Sequence, residues 1–361
     1  MYTIAIASGL AARPDVELHL LTRTDDAGRW ATVAPGASIH SDAPRSRPHR
    51  LAWEQYSAPR FAARIRPDVW HGPHYTMPLR GDVPAVITIH DLTFFDHPEW
   101  HERPKVPFFR RMIRAGAARA DVLVCVSEYT AERLCALLTP KGEVRVIPHG
   151  VDHKRFVRHD GRAELASDSA ALARHGVEPP YIAFVGTLEP RKDVPTLVHA
   201  FALVAPTRPD LRLVIAGGDG WGTAEARDAI ASSGVATRII RTGYLDDATV
   251  AALFRRAAAV AYPSQEEGFG LPALEALACG APLVTTKGSA LEEVTADAAL
   301  LVPPGDVHAL TGALIRLVDD HAMSNRLRTA GPERAALFTW ERTVDGHIDA
   351  YARAIAARVH T

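Results

Sequence analysis

At residues 266–275 the chain reads EEGFGLPALE, a loop with two glycines that leads into a predicted helix. Pro272 suits the first position of a helix, because its ring presets φ and its missing N–H would have no partner there. Gly268 and Gly270 let the backbone approach a ligand closely, and the free N–H groups of a helix start attract anions. The stretch therefore predicts a turn that binds a diphosphate or a similar anion.

One glutamate lies on each side of this turn. Glu267 precedes it, and Glu275 follows eight positions later on the polar side of the helix. Carboxylates accept hydrogen bonds from hydroxyl groups, so the pair is suited to a sugar and a ribose. An isolated pair of this kind is more often a solvated loop acid and an acid that complements the helix dipole. The pair alone leaves both interpretations open.

A longer run around the turn resembles a known signature. Residues 262–284 read YPSQEEGFGLPALEALACGAPLV, which is similar to the motif of glycosyltransferase family 4, retaining enzymes with the GT-B architecture. The resemblance implies that Glu267 contacts the donor sugar and that Glu275 contacts the ribose of the nucleotide. It also implies that the backbone holds the donor phosphates at Gly268, Phe269, Gly270 and Leu271.

A second motif, FVGTLEPRKD at residues 184–193, predicts a strand, a turn and then a helix from about Val194. Adjacent cations beside a glycine turn can neutralise a diphosphate, although loop cations are about as often solvated surface charges. The segment resembles the donor-phosphate loop of the same family, which implies that Lys192, together with Arg191, stabilises the leaving diphosphate. Many members carry an arginine directly after Gly186, where this chain has Thr187; both residues are assigned to donor binding.

Two further loops follow predicted strands, VIAGGDG at residues 214–220 and TGYLDD at residues 242–247. Glycine at a strand end suits any nucleotide-binding fold. The resemblance implies that Gly217 lines the nucleotide pocket and that the backbone near Tyr244 and Leu245 touches the base. No GxGxxG follows a strand, which counts against a dinucleotide dehydrogenase.

His90 and Asp91 follow a predicted strand at residues 85–89. Ligands of open α/β sheets bind beyond the carboxyl ends of the strands, so both residues lie where an acceptor is expected. A lone histidine at such a place is more often structural. The resemblance implies a catalytic position close to the donor sugar for His90, with Asp91 either orienting His90 or contacting the acceptor.

Short apolar runs alternate with helical patterns along the chain, which favours parallel sheets covered by helices. A polar stretch at residues 152–180 separates two groups of strands, and 361 residues with 47% hydrophobic content can bury more than one core. The predicted strands are residues 16–21, 69–71, 85–89, 122–126, 144–147, 181–185, 211–216, 239–242, 259–262 and 282–285.

With the resemblance, this pattern predicts an α/β GT-B fold, in which two Rossmann-like domains with parallel sheets face a central cleft. We expect an N-terminal acceptor-binding domain at residues 1–152, to which a helix at about residues 341–361 returns, and a donor-binding domain at residues 153–340. Residues 2–12 predict a helix, whereas family members begin with a strand and a glycine-rich loop. We therefore expect that the first strand of the N-terminal domain is missing and that the true start lies upstream.

Composition narrows the class of protein further. A net charge of −1 gives no general attraction to nucleic acid, and Cys125, Cys135 and Cys279 lack metal-ligand spacing and suit reduced core positions. No run approaches the ~20 apolar residues that span a bilayer. We expect a cytoplasmic enzyme without a cofactor or metal, and the oligomeric state stays open.

These features predict a retaining hexosyltransferase that uses a nucleotide-diphosphate sugar and a glycan or lipid-linked acceptor. The segment GTLEPRK at residues 186–192 resembles the corresponding segment of family members that use GDP-mannose. UDP-glucose and UDP-GlcNAc stay open as alternative donors. The run PFFRRMIR at residues 107–114 suits either a peripheral contact with an anionic membrane or a helix with its cations in water. A sugar-nucleotide epimerase and a catalytically silent nucleotide-sugar-binding protein are the alternatives.

Overall fold

The computed structural model describes residues 1–359, and the chain forms two compact units. The first unit comprises residues 1–150 together with the segment from residue 340 onward, and the second unit comprises residues 151–339. Each unit contains a parallel sheet covered by helices. No helix among the described residues is both long and apolar enough to cross a membrane.

The first unit contains two parallel sheets, one of two strands in the order β1-β2 and one of four in the order β3-β4-β5-β6. The chain opens on a helix, as the sequence predicts, and closes on a long one. In chain order the elements are α1 Tyr2–Ala11, β1 His19–Arg23, α2 Ala27–Val33, β2 Ser38–Ala43, α3 Arg47–Tyr56, α4 Ala58–Ile65, β3 Trp70–Gly72, β4 Ala85–Ile89, α5 Thr93–Asp96, α6 Lys105–Arg119, β5 Val122–Cys125, α7 Glu128–Leu137, β6 Glu143–Val146 and, at the end of the chain, α16 Trp340–Val359.

Both faces of the four-stranded sheet are buried. Alternate residues of a strand point to opposite faces, so Ile87 of β4 packs with α6 through Ile113, while Val86 packs with α16 through Ala350. Near-continuous apolar strands are typical of parallel sheets covered on both sides. This pattern allowed these strands to be predicted from the sequence.

The second unit contains a six-stranded parallel sheet in the order β12-β11-β10-β7-β8-β9. Its elements are α8 Arg162–Ala173, β7 Tyr181–Val185, α9 Val194–Val204, β8 Arg212–Ala216, α10 Ala224–Ser232, β9 Ile239–Gly243, α11 Asp247–Arg256, β10 Ala259–Tyr262, α12 Leu271–Ala278, β11 Leu283–Thr286, α13 Ala290–Thr295, β12 Leu300–Val302, α14 Val307–Asp319 and α15 His321–Ala335.

The strand order of the second unit reverses at β7. From β7 the chain builds β8 and β9 on one side and then crosses to β10 on the other, so β7 and β10 are neighbours. In open α/β sheets ligands bind at the carboxyl ends of the strands where the strand order reverses. The two motifs with charged residues follow these two strands.

Two strands and one helix lie where the sequence predicts none. β2 reads SIHSDA and contains a single buried residue, Ala43, so it lacks the apolar run of an inner strand, whereas β12 reads LLV and is a three-residue edge strand. The polar stretch at residues 152–180 contains α8, whose Leu172 is buried and whose Asp168 pairs with Arg255 of α11. This stretch is therefore a packed part of the second unit.

Candidate functional site

The charged loop after β7 is held rigidly by its own backbone. A 3-10 turn covers Pro190–Lys192, and Asp193 follows with φ 49°, in the left-handed region. The Asp193 side chain accepts a hydrogen bond from the Thr196 N–H at 3.3 Å and so caps α9. The turn fixes the directions in which Arg191 and Lys192 leave the backbone.

Lys192 is a buried cation with an exposed fraction of 6%. Its Nζ donates hydrogen bonds to Glu267 Oε1 and to the Tyr262 hydroxyl group, and lies 4.8 Å from the centre of the Tyr262 ring. Burial lowers the pKa of Lys192, and the neighbouring Glu267 carboxylate opposes that shift. The ammonium group is thus stabilised by Glu267 rather than by water.

Glu267 binds both cations through its two carboxylate oxygens. Oε2 accepts from Arg191 Nη1 at 2.5 Å, while Oε1 accepts from Lys192 and from Ser264 Oγ at 2.7 Å. Burial alone would raise the pKa of this carboxyl group, but Arg191 and Lys192 outweigh it and hold the pKa well below its usual range. Glu267 is therefore an ionised, fully engaged carboxylate at neutral pH.

The loop after β10 and the loop after β7 are joined by further hydrogen bonds. The Arg191 carbonyl accepts from the Gln265 N–H at 2.7 Å and from Ser264 Oγ at 3.1 Å. Glu189 is a more exposed second partner, 3.2 Å from Arg191 Nε. Arg191 and Lys192 thus face two carboxylates, Glu267 and the more exposed Glu189, and an arriving diphosphate must compete with them for the two cations.

The head of α12 follows Glu267 directly. Gly270 has φ 95°, and a Cβ at this position would lie 2.4 Å from Leu291 Cδ2. Only glycine fits here without a shift, which agrees with the close backbone turn expected from the sequence. Pro272 lies in the first turn of α12, and the Phe269 ring is buried 5.9 Å from the Phe338 ring.

Glu275 lies one turn further along α12 and is partly buried. Its carboxyl group forms no hydrogen bond with another described residue. Burial, and then repulsion by Asp247, raises the pKa of Glu275 to about 8. The group is consequently available to a ligand hydroxyl group.

Glycines bring the ends of β7, β8 and β9 close together. The Gly217 N–H donates to the Gly243 carbonyl at 2.8 Å, and a Cβ on Gly217, with φ 140°, would lie 2.0 Å from the Gly186 carbonyl oxygen. Thr187 is exposed beside this contact. In the next loop the Tyr244 side chain is 80% exposed, whereas Leu245 is buried.

In the first unit His90 follows β4 and is neutral at physiological pH. Its Nε2 lies 2.9 Å from the Pro73 carbonyl oxygen, so Nε2 carries the proton and donates a hydrogen bond to that oxygen. Burial, and then the nearby His74, lowers the pKa of His90 to about 4. This tautomer leaves Nδ1 as a hydrogen-bond acceptor.

Asp91 has a structural contact of its own. Its Oδ1 accepts hydrogen bonds from the Thr93 N–H at 3.1 Å and from Thr93 Oγ1 at 2.6 Å, at the start of α5. No direct hydrogen bond among the described residues therefore supports the alternative that Asp91 orients His90. His90 instead contacts aromatic rings, with centroids 4.9 Å away at Tyr2 and 5.1 Å away at His74.

Sequence analysis assigned no role to Tyr262 or Ser264, although both lie in the segment at residues 262–284 that resembles the family motif. Tyr262 ends β10 and Ser264 follows two residues later, so their place at a carboxyl strand end was the available signal. Within residues 1–359 no group of three or more His, Cys, Asp or Glu side chains is arranged to hold a metal ion. The expectation that the enzyme needs no metal or cofactor stays a prediction.

Models of two families match the chain. The model described as "Glycosyl transferases group 1" matches residues 171–334, and the model described as "Glycosyltransferase Family 4" matches residues 1–155. The first match lies within the second unit, and the second match covers residues 1–150 of the first unit.

Curated relatives carry related names. The O-antigen chain mannosyltransferase B of Escherichia coli is 29% identical over 308 residues, which cover 84% of this chain and 77% of the relative. A D-inositol 3-phosphate glycosyltransferase of Actinosynnema mirum is 30% identical over 392 aligned residues, covering 98% of this chain and 91% of the relative. Other relatives are longer, and the matches cover 56% to 66% of their length.

Two solved structures share the fold at low sequence identity. Sucrose-phosphate synthase of Thermosynechococcus elongatus gives a TM-score of 0.79 at 22% identity, covering 99% of this chain and 93% of that chain. The HepE protein of Anabaena in complex with UDP-glucose gives 0.77 at 18% identity, covering 97% and 94%. These likenesses confirm the predicted α/β fold of GT-B type.

Proposed function

The chain belongs to glycosyltransferase family 4, and from this premise we propose that it moves a hexose, with mannose favoured, from a nucleotide-diphosphate sugar to a hydroxyl group. The family and the names of the relatives make it a hexosyltransferase. The proposed acceptor is a glycan or a lipid-linked sugar, and the proposed transfer retains the configuration at the anomeric carbon. The observation that carries the proposal is the buried group of Arg191, Lys192 and Glu267 at the strand reversal of the second unit.

The first proposed step is stabilisation of the leaving diphosphate. Lys192 and Arg191 lie beside the Glu267 carboxylate, and α12 begins four residues after Glu267, at Leu271, with the positive end of its helix dipole. Positive groups fixed where negative charge develops lower the barrier without reorganisation during the reaction. This arrangement suits a nucleoside diphosphate as the leaving group.

The second proposed step is recognition of the sugar and the ribose. Glu275 has no hydrogen-bond partner among the described residues, so it is suited to the ribose hydroxyl groups. Glu267 is already engaged by Arg191, Lys192 and Ser264. We propose that Glu267 exchanges part of these contacts for the donor sugar once the diphosphate binds the two cations.

We propose that the acceptor attacks on the side of the leaving group and that the β-phosphate takes its proton. Glycosidases instead use two carboxyl groups, one as a general acid and the other as a base or a nucleophile. Glu267 does not suit that role, since Arg191 and Lys192 hold it ionised and hydrogen-bonded. His90 is proposed to accept a hydrogen bond from the sugar through its unprotonated Nδ1.

Mannose is favoured on two grounds, the GTLEPRK segment and the name of the Escherichia coli relative, an O-antigen chain mannosyltransferase. Glucose on UDP is the alternative, since the Anabaena HepE protein was solved with UDP-glucose. A cytoplasmic location stays a prediction. Membrane contact by the segment at residues 107–114 has little structural support, because Phe109, Met112 and Ile113 of α6 are buried.

Calorimetry with GDP-mannose, UDP-glucose and UDP-GlcNAc, followed by analysis of the products with glycan and lipid-linked acceptors, tests the proposal. We expect one donor to bind and a new glycoside with the anomeric configuration of that donor. An inverted product would contradict the retaining mechanism. An isomerised donor would instead indicate an epimerase, and binding without consumption would indicate a silent binding protein.

A further inference from the structure

We propose that the second unit carries a separate site for a phosphate group, in a cavity of about 250 Å³. The residues of this cavity that matter here are Arg158, His159, Asp160, Arg256, Gly280 and Arg328. None of them belongs to the donor site described above. The cavity is called the arginine pocket below.

The arginine pocket lies at the opposite edge of the sheet from the donor site. Arg256 ends α11 just before β10 begins at Ala259, and Gly280 lies between the end of α12 and the start of β11. Glu267, by contrast, follows the carboxyl end of β10. The two sites therefore lie at opposite ends of β10 and of α12. A ligand bound at one site cannot contact the other.

The positive charge of the pocket is only partly neutralised. Arg255, which also lines it, is paired with Asp168 through two hydrogen bonds of 2.7 and 2.6 Å. Arg158 is paired with Asp160 at 2.8 Å, near the surface. Arg256 and Arg328 have no carboxylate partner among residues 1–359, so the pocket keeps two uncompensated guanidinium groups.

Arg328 is held in place by the backbone. Its Nη1 donates to the Gly280 carbonyl at 3.3 Å and its Nη2 to the Ala257 carbonyl at 2.9 Å. The Arg328 carbonyl in turn accepts from Arg158 Nη1 at 3.1 Å. Burial, and then repulsion by Arg158 and Arg256, lowers the pKa of Arg328. The guanidinium groups are thus kept close together against their mutual repulsion.

Two polar atoms at the pocket are buried and lack a partner among the described residues. They are Nδ1 of His159 and Nε of Arg256. Buried polar atoms normally form hydrogen bonds, and an unmade bond costs free energy. An anion in the pocket would offset the charges of Arg256 and Arg328, which line it without a carboxylate partner among the described residues.

Phosphate is the anion that fits these observations best. Guanidinium groups bind phosphate through paired N–H groups of matching geometry, and the volume of the pocket suits a phosphate group with a small substituent. The phosphate group can come from a soluble phosphate ester or from an anionic lipid headgroup. The experiment below separates these two sources.

The test is titration of the full chain with inorganic phosphate by calorimetry at constant ionic strength. The donor site also attracts phosphate, so the titration is repeated in Arg191→Gln, in which that site is weakened. We expect phosphate binding to persist in Arg191→Gln. Adding Arg158→Gln or Arg256→Gln to that background should weaken phosphate binding ~10-fold, through loss of a charge-assisted hydrogen bond.

The matched control is Arg316→Gln, which removes an exposed arginine of α14 that lies outside the pocket and should leave phosphate binding unchanged. Thermal unfolding of each variant verifies that it is folded. Cosedimentation with phosphatidylglycerol vesicles, against phosphatidylcholine vesicles, identifies the source: retention that Arg158→Gln abolishes indicates a lipid headgroup, and phosphate binding without retention indicates a soluble ester. Absence of phosphate binding in Arg191→Gln, or equal binding after Arg158→Gln and Arg256→Gln, overturns the proposal.

Discussion

At the scale of single residues, Glu267 competes with the diphosphate of the donor for Arg191 and Lys192. Its two oxygens bind Arg191 and Lys192 in a buried place, so a diphosphate must weaken these ion pairs when it binds. Tyr262 and Ser264 hold the carboxylate in position meanwhile. The ion pairs stabilise the buried Lys192 and the half-buried Arg191 in the absence of donor, at the expense of donor affinity.

Glu267→Gln is expected to bind UDP or GDP more tightly, by ~10-fold, because both cations then interact with the diphosphate without competition. Transfer should nevertheless fall by ~100-fold, because the carboxylate no longer positions the cations and the sugar. Removing one partner of a buried ion pair costs ~3 kcal/mol or more, so the variant should also be less stable. Calorimetry, initial rates and urea unfolding measure the three effects.

Glu189→Gln is the control for this variant, since Glu189 contacts the same Arg191 from a more exposed position. Its effect on nucleotide affinity should be small, because exposed ion pairs contribute ~0–1 kcal/mol. Weaker nucleotide binding by Glu267→Gln would contradict the competition.

Sequence alone named Arg191, Lys192 and Glu267 as candidates for the donor site but did not predict their mutual contacts. The three residues come from loops after two strands that are distant in sequence, and only the strand order makes those loops neighbours. The hydroxyl groups of Tyr262 and Ser264 were not assigned, because tertiary packing decides whether such a group faces a site or the core.

At the scale of elements, the loop before α12 depends on one backbone conformation. Gly270 combines φ 95° with a close approach to Leu291, so it joins the strand end to the helix in a way that a side chain would block. The head of α12 keeps its place beside Glu267 only as long as this turn is intact.

Gly270→Ala should lower the free energy of unfolding by ~2 kcal/mol or more, from the left-handed backbone and the clash with Leu291. Gly305→Ala is the matched control: Gly305 has φ 72° but nothing within 4 Å of an added Cβ, so only backbone strain of ~1 kcal/mol applies. Urea unfolding compares the two. Equal losses would show that the contact with Leu291 does not constrain the turn.

Most strands were predictable, including the edge strands β3, β6 and β9, whereas β2 and β12 were missed. β4, β7 and β10 have the predicted bounds, because each is mostly apolar and buried on both faces. β2 has the sequence SIHSDA, with polar residues on an exposed edge, and periodicity alone does not separate such a strand from a loop. Ser127 caps α7, since its Oγ accepts from the Thr130 N–H at 3.0 Å.

At the scale of the whole molecule, the two units differ in the chemistry of their interiors. The second unit has an apolar sheet core, whereas the first unit encloses a histidine cluster, defined as His71, His90, His149 and His347. Tyr2 joins this cluster, since its hydroxyl group lies 2.8 Å from both Thr88 Oγ1 and His347 Nε2. The cluster was not predictable, because its members come from separate segments of the chain.

The histidine cluster should make the first unit sensitive to acid. Burial lowers the pKa of His347 from 6.5 to about 4, so the unfolded chain binds the proton first as the pH falls. Stability from this group is present above pH 6.5 and is lost between there and about pH 4, by up to ~1.4 kcal/mol per pH unit. Urea unfolding at pH 7 and pH 5 measures the loss.

His347→Gln should reduce this dependence on pH, although the variant is less stable at pH 7 through its lost contacts. His199→Gln, at an exposed position of α9, should leave the dependence unchanged. An unchanged difference between pH 5 and pH 7 in His347→Gln would contradict the assignment.

The central claim is that Lys192 stabilises a departing nucleoside diphosphate during hexose transfer. The most direct measurement is the rate of nucleoside diphosphate release from GDP-mannose or UDP-glucose, with acceptor present, for the wild type and for Lys192→Met. Met keeps the length and the burial of the side chain but removes its charge. We expect the release rate of Lys192→Met to be ~100-fold lower than that of the wild type. A Lys192→Met rate within about twofold of the wild type, in a variant that stays folded, would contradict it.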